Sequence, residues 1–314
     1  MIRRIFIAFY ALTVWAPLLT ACDLCGSYSI RLVNLHRPGF FLGTYEQFTH
    51  FGSLQEDGRA MRNPVGQYLD SSVTQFFAGF QFGERVTVQL NLPWVNRSYR
   101  RPTEEGIETG TISGLGDAAL LGQYRIVGRI SDASTIVWNI QGGLKLPTGN
   151  SDRLLEELNE SEQELPSGIH GHDLALGSGS VDGLIGTMIY ASRGPFFGEA
   201  AVHYSMRTEG RIGYRFANDV LWSVKPGFFL FQHNDAIAGL KLALSGEAKG
   251  KDTFQGEKAN DTGITSLFIG PEASFSWRRN LDASFGADFP VVQRNTSFQA
   301  VPDHRFRAAV VWRF

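Results

Sequence analysis

Four short clusters hold the residues with which this chain could do chemistry. Cys22-Asp-Leu-Cys25 contains its only two cysteines. A Cys-x-x-Cys pair can close into a strained disulfide or, as thiolates, bind a soft metal ion. No histidine follows Cys25, so the motif for covalent haem attachment is absent. Leu19-Thr20-Ala21-Cys22 also has the pattern of a bacterial lipobox, which would lipidate Cys22. Lipid, disulfide and metal stay open for this pair. The second cluster, His170-Gly-His172-Asp173, follows an acidic run from Glu156 to Glu164. Two imidazoles at i, i+2 beside carboxylates are donors for a divalent transition metal, although the spacing fits no structural zinc pattern. A solvated acidic loop is the plainer reading.

The third cluster, His203-Tyr-Ser205, sets a base beside a hydroxyl, as lipid-hydrolysing barrels do on their lipid-facing side. The fourth, Gly114-Leu-Gly-Asp-Ala-Ala119, fits the G-x-G-x-x-A dinucleotide fingerprint in letters only. That mechanism needs a helix whose N-terminus holds the pyrophosphate. Here the following residues alternate as a strand, so no cofactor is expected.

What must position these groups is mostly strand. The 314 residues include 35 Gly and 24 Phe, with 43% hydrophobic and only 19% charged. Glycine and aromatics at that level, without long apolar blocks, suit many strands and turns. The formal net charge of −2 and the lack of a basic cluster give no case for nucleic acid. Met1 to Ala21 have the positive start, apolar middle and small final residue of a secretory signal. The expected organisation is therefore a signal over 1–21, a periplasmic segment with Cys-x-x-Cys over 22–38, and one β-domain over 39–314. No later run is long enough for a membrane-spanning helix.

The last eleven residues are the clearest strand. Phe306, Ala308, Val310, Trp312 and Phe314 share one face, and Arg305, Arg307 and Arg313 the other. Ending on Phe314, with Trp312 on the same face, matches the signature that the barrel-assembly machinery reads. The same parity recurs upstream in runs of about ten residues, the length a tilted strand needs to cross a bilayer. Strands are expected at 40–51, 70–82, 85–95, 115–126, 134–146, 180–191, 196–206, 219–230, 235–247, 264–277, 281–291 and 303–314. Five short turns then alternate with long links at 52–69, 96–114, 147–179, 207–218, 248–263 and 292–302. A soluble β-sandwich, the competing fold, gives no reason for such alternation. Outer-membrane barrels do, with short periplasmic turns, longer external loops and an even strand count. The expected fold is an all-β, antiparallel, up-and-down transmembrane barrel of about twelve strands in the bacterial outer membrane, with its lipid as partner.

Parity then assigns the polar face to the lumen. Candidate permeation residues are Arg125, Lys145, Glu199, His203, Lys225, Lys241, Glu247, Glu272, Asp282, Asp288, Arg305 and Arg307. Both signs occur, so an internal ion-pair network is expected. His203 and Ser205 also fall on this face, where a nucleophile cannot meet a bilayer ester, which argues against an enzyme.

Gly114-Leu-Gly-Asp-Ala-Ala-Leu-Leu-Gly-Gln-Tyr-Arg125, then Gly143-Leu-Lys-Leu-Pro-Thr-Gly149, then Gly177-Ser-Gly-Ser-Val-Asp-Gly183 form an ordered set. Over roughly residues 66 to 314 the chain resembles a transporter-like outer-membrane family labelled for the meta-pathway of phenol degradation. That resemblance implies a barrel channel for small solutes, hydrophobic or aromatic ones among them.

Overall fold

A computed structural model of the chain describes residues 38–314, apart from 132, 159–165, 234 and 279. The expected signal, the segment over 22–37 and both cysteines lie outside the described residues. Twelve antiparallel wall strands follow in chain order. They are β1 Gly39–Glu56, β2 Tyr68–Phe82, β3 Val86–Thr103, β4 in two pieces (Gly106–Leu115 and Ala119–Ile130), β5 Ser134–Lys145 and β6 Asp182–Arg193. The second half is β7 Phe196–Met206, β8 Asp219–His233, β9 Ala236–Lys249, β10 Ile264–Trp277, β11 Leu281–Asn295 and β12 Phe298–Arg313. Each strand pairs with its chain neighbours, and β12 pairs back onto β1 from Phe41↔Arg313 to Glu56↔Phe298. The sheet is a closed barrel.

The two ends differ. At one rim five short connections join the strands, and both ends of the barrel chain lie there, Phe314 N–H donating to the Phe40 carbonyl at 3.0 Å. The other rim carries the long connections. Two links expected to be long, 96–114 and 292–302, are instead mostly strand. β3 and β4 continue to a tight turn at 104–105, and β11 and β12 to one at 296–297. The reason is that Asn96, Ser98 and Arg100 replace apolar residues on the outer face above Trp94. Polar side chains on both faces hide a strand from a hydrophobic-alternation reading. β1 also outruns its expected end, reaching a hairpin whose Asp57 and Gly58 both take positive φ, 49° and 77°. That geometry belongs to a two-residue turn matching the strand twist.

Within the wall, parity holds as expected. Val88, Leu90, Leu92 and Trp94 on β3, and Leu240 and Leu242 on β9, are exposed large apolar side chains. Their neighbours Gln89, Asn91 and Lys241 are buried inside. Such an outer surface is stable only against hydrocarbon, and the closed ring leaves no backbone edge to solvate.

Arginine on a lipid face at mid-membrane costs about 2–4 kcal/mol. Leu242→Arg is therefore expected to lower the heat-modifiable folded fraction recovered in lipid vesicles, while Leu242→Phe leaves it unchanged. Equal recovery of the two would remove Leu242 from the lipid face.

Candidate functional site

The lumen is built from inward side chains in three tiers. Nearest the short-turn rim are two aromatic clusters. Phe41, Phe77 and Val311 pack with Tyr45 on one side, and Val137, Tyr190 and Phe197 with Phe229 on the other. Their size is accommodated by glycines on adjacent strands: a Cβ at Gly227 of β8 would meet the Phe197 ring at 2.8 Å. Arg125 and Asp282 also sit toward this rim. Arg125 donates to the Glu84 carbonyl in a turn, and Asp282 pairs with Arg313 and accepts from Ser276 Oγ at 2.5 Å.

The middle tier has two unlike walls. On β7 to β12 the charges form a belt centred on Glu272, which takes Lys225 and Lys241 at 2.6 Å each and Arg307 at 3.0 Å. Lys241 reaches Glu199 at 3.1 Å, and Arg307 holds Asp288 through two bonds of 2.6 and 2.7 Å. Three carboxylates thus face three cations, and the belt is neutral. Above it Arg305 pairs with Glu247 at 2.8 Å and lies over the Phe268 ring at 4.3 Å. The opposite wall, on β1 to β5, is rich in amides, and one of them, Gln141, meets His203 Nδ1 of β7 through Nε2 at 2.7 Å. Between the walls is a cavity of about 210 Å³.

The third tier is a plug. In the long link over 147–179, expected to be a solvated acidic loop, the described residues 147–158 and 166–179 fold into the lumen instead. Leu154, Ile169, Leu174 and Ala175 are fully buried there. Ile169 and Leu174 pack on Leu69 and Tyr99, Leu176 on Val73 and Val95, and Leu154 on Tyr214 and Phe216. Two of its acidic residues have partners inside: Glu156 meets Arg101 at 2.7 Å and Glu157 meets His172 Nδ1 at 3.0 Å. His170 and His172 stack 5.6 Å apart and turn to different carboxylates, Asp261 at 3.4 Å and Glu157. Among the described residues no set of three or more His, Cys, Asp or Glu side chains is arranged to hold a metal ion.

Burial disfavours a charged His172, but Asp173 and Glu157 outweigh it and hold the imidazolium well above the usual histidine range. Burial likewise works against a charged Asp173, and His172 and His170 still pull it below the usual carboxylate range. This ion pair sits in the middle of the plug.

Both ends of the plug are held by a clasp that the sequence reading did not assemble. Asp117, in the break of β4, accepts Lys145 Nζ at 2.5 Å, Gly149 N–H at 3.0 Å and Ser178 N–H at 2.9 Å. Thr148 Oγ1 donates to the Gly116 carbonyl at 2.9 Å and accepts the Ala118 N–H at 2.8 Å. Lys145 also meets Asp182 at 2.9 Å, and Asp182 and Asp219 share Arg207 at 2.9 and 2.8 Å. Gly177 is obligatory here, since a Cβ would meet Asp117 Oδ1 at 2.6 Å. The Gly-Leu-Gly-Asp, Lys-Leu-Pro-Thr-Gly and Gly-Ser-Gly-Ser motifs are therefore one site, far apart in sequence and joined at the two ends of one loop. Lys145 is inward-facing as expected, but the plug covers it. Arg207 and Asp219 were missed because they lie at strand ends, where parity carries no signal.

His203 and Ser205 face the lumen, and Ser205 Oγ donates to Asp219 Oδ1 at 3.0 Å rather than to an imidazole.

No family model matches the chain, and neither does any curated protein. Among solved structures it is similar to an outer-membrane channel from Pseudomonas putida F1, at 14% identity and a TM-score of 0.62, covering 91% of this chain and 100% of that one. It is also similar to the β-domain of the Bordetella autotransporter Brka, at 10% identity and a TM-score of 0.42 over 88% and 99% of the two chains. A third is the translocator domain of the autotransporter NalP from Neisseria meningitidis, at 12% identity and a TM-score of 0.40 over 99% and 94%. The Pseudomonas likeness establishes a shared outer-membrane barrel fold.

Removing one partner of a buried ion pair costs about 3–5 kcal/mol. Glu272→Leu, which strips three cations of a shared carboxylate, should lower the urea midpoint of unfolding in vesicles accordingly. An unchanged midpoint would mean that water, not Glu272, satisfies those cations.

Proposed function

We propose that this chain is a gated outer-membrane channel for small solutes, closed by its own plug. The observation that carries the reading is the contrast of faces: an apolar exterior encloses a polar lumen whose long-loop half is filled by residues 147–158 and 166–179. A barrel whose only task was to span the membrane would have no need of a loop pinned at both ends inside it. The long-loop rim is then external and the short-turn rim periplasmic. Phe314 and Trp312 on the outer face of β12 supply the signal for the barrel-assembly machinery. The ordered motifs shared with the transporter-like family support the same reading, because in this chain they make the clasp. A hydrophobic or aromatic solute, which that resemblance implies, has the two aromatic clusters of the lowest tier in its favour. The reading is non-enzymatic, since His203 and Ser205 are engaged with Gln141 and Asp219 on the lumenal side.

Opening requires the plug to leave its clasp. Asp117→Asn keeps the shape and loses the charge that holds Lys145 and Ser178. In planar bilayers the variant is expected to spend more time open than the unsubstituted chain at the same voltage. Identical closed-state dwell times would rule out the clasp as the gate.

The plug should also respond to pH, in a direction fixed by His172. A histidine raised in the folded state contributes fully below its ordinary pKa and stops contributing as pH rises through the raised value. Plug closure should therefore weaken in alkaline solution, read as rising conductance above neutral pH, and His172→Gln should remove that rise. Conductance that rises only on acidification would contradict the assignment.

A further inference from the structure

The middle cavity has the chemistry of a binding site, and we infer that it selects uncharged solutes carrying several hydroxyl or amide groups. This rests on the channel reading and goes beyond it by naming the solute class. Two observations carry it. First, the charges that line the cavity cancel: Glu199 and Glu272 against Lys225 and Arg307. Each of these is already held by a counter-charge at 3.1 Å or less. An entering ion would find no uncompensated partner and would give up its hydration to a belt already neutral, which is unfavourable.

Second, the facing wall is made of neutral groups that both donate and accept. Gln123, Asn139 and Gln141 line it, with His203 beside them. A hydrocarbon placed there would strip water from those amides and return no hydrogen bond. The Ser223 and Ser284 hydroxyls on the ionic side offer further neutral contacts. At about 210 Å³ the cavity has room for a solute of the size of a small sugar or polyol.

A site built to hydrogen-bond its ligand discriminates strongly against analogues that lack the matching group. The aromatic clusters below the cavity do not conflict with this class, since a polyol also has apolar C–H faces. The selection is made in the middle tier.

The test is proteoliposome swelling with the full mature chain, run beside KCl conductance on the same preparation. The probes are arabinose, its aldonate arabinonate and its 2-amino-2-deoxy analogue, close in size and differing in charge. Arabinose should enter about tenfold faster than either charged probe, a factor equal to about 1.4 kcal/mol, because an ion gives up hydration that the neutral belt does not replace. Asn139→Leu should reduce the arabinose rate while KCl conductance persists. Equal rates for the three probes, or faster entry of a charged one, with conductance intact, would overturn the solute class and leave the channel standing. Conductance without any arabinose entry would overturn it as well. Neither swelling nor conductance, from the unsubstituted chain or from Asp117→Asn, would remove the channel reading and this inference together. The unsubstituted comparison does not depend on Asn139→Leu folding.

Discussion

Closure of the sheet, by pairing β12 onto β1, is the constraint from which the rest follows. In hydrocarbon no backbone group can turn to water, so a sheet spans only if its two edges meet. Once they meet, strand alternation sends every second side chain into one enclosed space. Twelve strands make that space too wide to be filled by short side chains and too narrow for charges to remain in bulk water. The ionisable groups of the middle belt must then find counter-charges. Glu272 with its three cations is the result, and Arg307 clamped on Asp288 is its continuation.

A belt of that kind is poorly suited to move. Its members are mutually compensating, so displacing one leaves others exposed in a low-dielectric interior. Movement is easier where the contacts are held by a few groups at the ends of a segment, which is how the plug is attached. Its apolar residues pack on Leu69, Val73, Val95 and Tyr99, and its two ends converge on Asp117. The charges lock the middle of the lumen, while the plug is tied to the wall chiefly at its two ends.

How much of this was legible in the sequence follows the same physics. The wall was readable because period-two alternation is forced on any strand with lipid on one side: Leu240, Lys241 and Leu242 declare their faces without a structure. Strand ends were readable only as far as the lipid extended. Above Trp94 the outer face becomes Asn96, Ser98 and Arg100, the alternation in hydropathy stops, and a continuing strand looks like a loop. The plug was the least legible. Glu156, Glu157, His170 and His172 look like a solvated acidic loop with a metal option, since nothing local states that Arg101, Asp261 and Tyr214 will be waiting for them. Parity puts His203 and Ser205 on the inner face, and both are engaged there, with Gln141 and Asp219.

The three short motifs mark the boundary between these regimes. As strings they suggest strand starts and a strand end, and Gly114 to Ala119 even imitates a nucleotide loop. Their residue types make sense only together. Glycine is needed at 116, 149 and 177 because three backbones converge; a Cβ at Gly149 would meet the Gly177 Cα at 2.9 Å, and one at Gly116 the Leu176 carbonyl at 3.1 Å. Aspartate is needed at 117 because two chain ends present N–H groups and Lys145 presents a charge to the same point. Lysine is needed at 145 because Asp117 and Asp182, both buried or nearly so, would otherwise face each other with one cation fewer. A sequence can keep such letters only by keeping the loop they hold. The clasp is thus the place where the chain's local signals and its long-range fold state the same requirement: a plug tied at both ends to a gap in the wall.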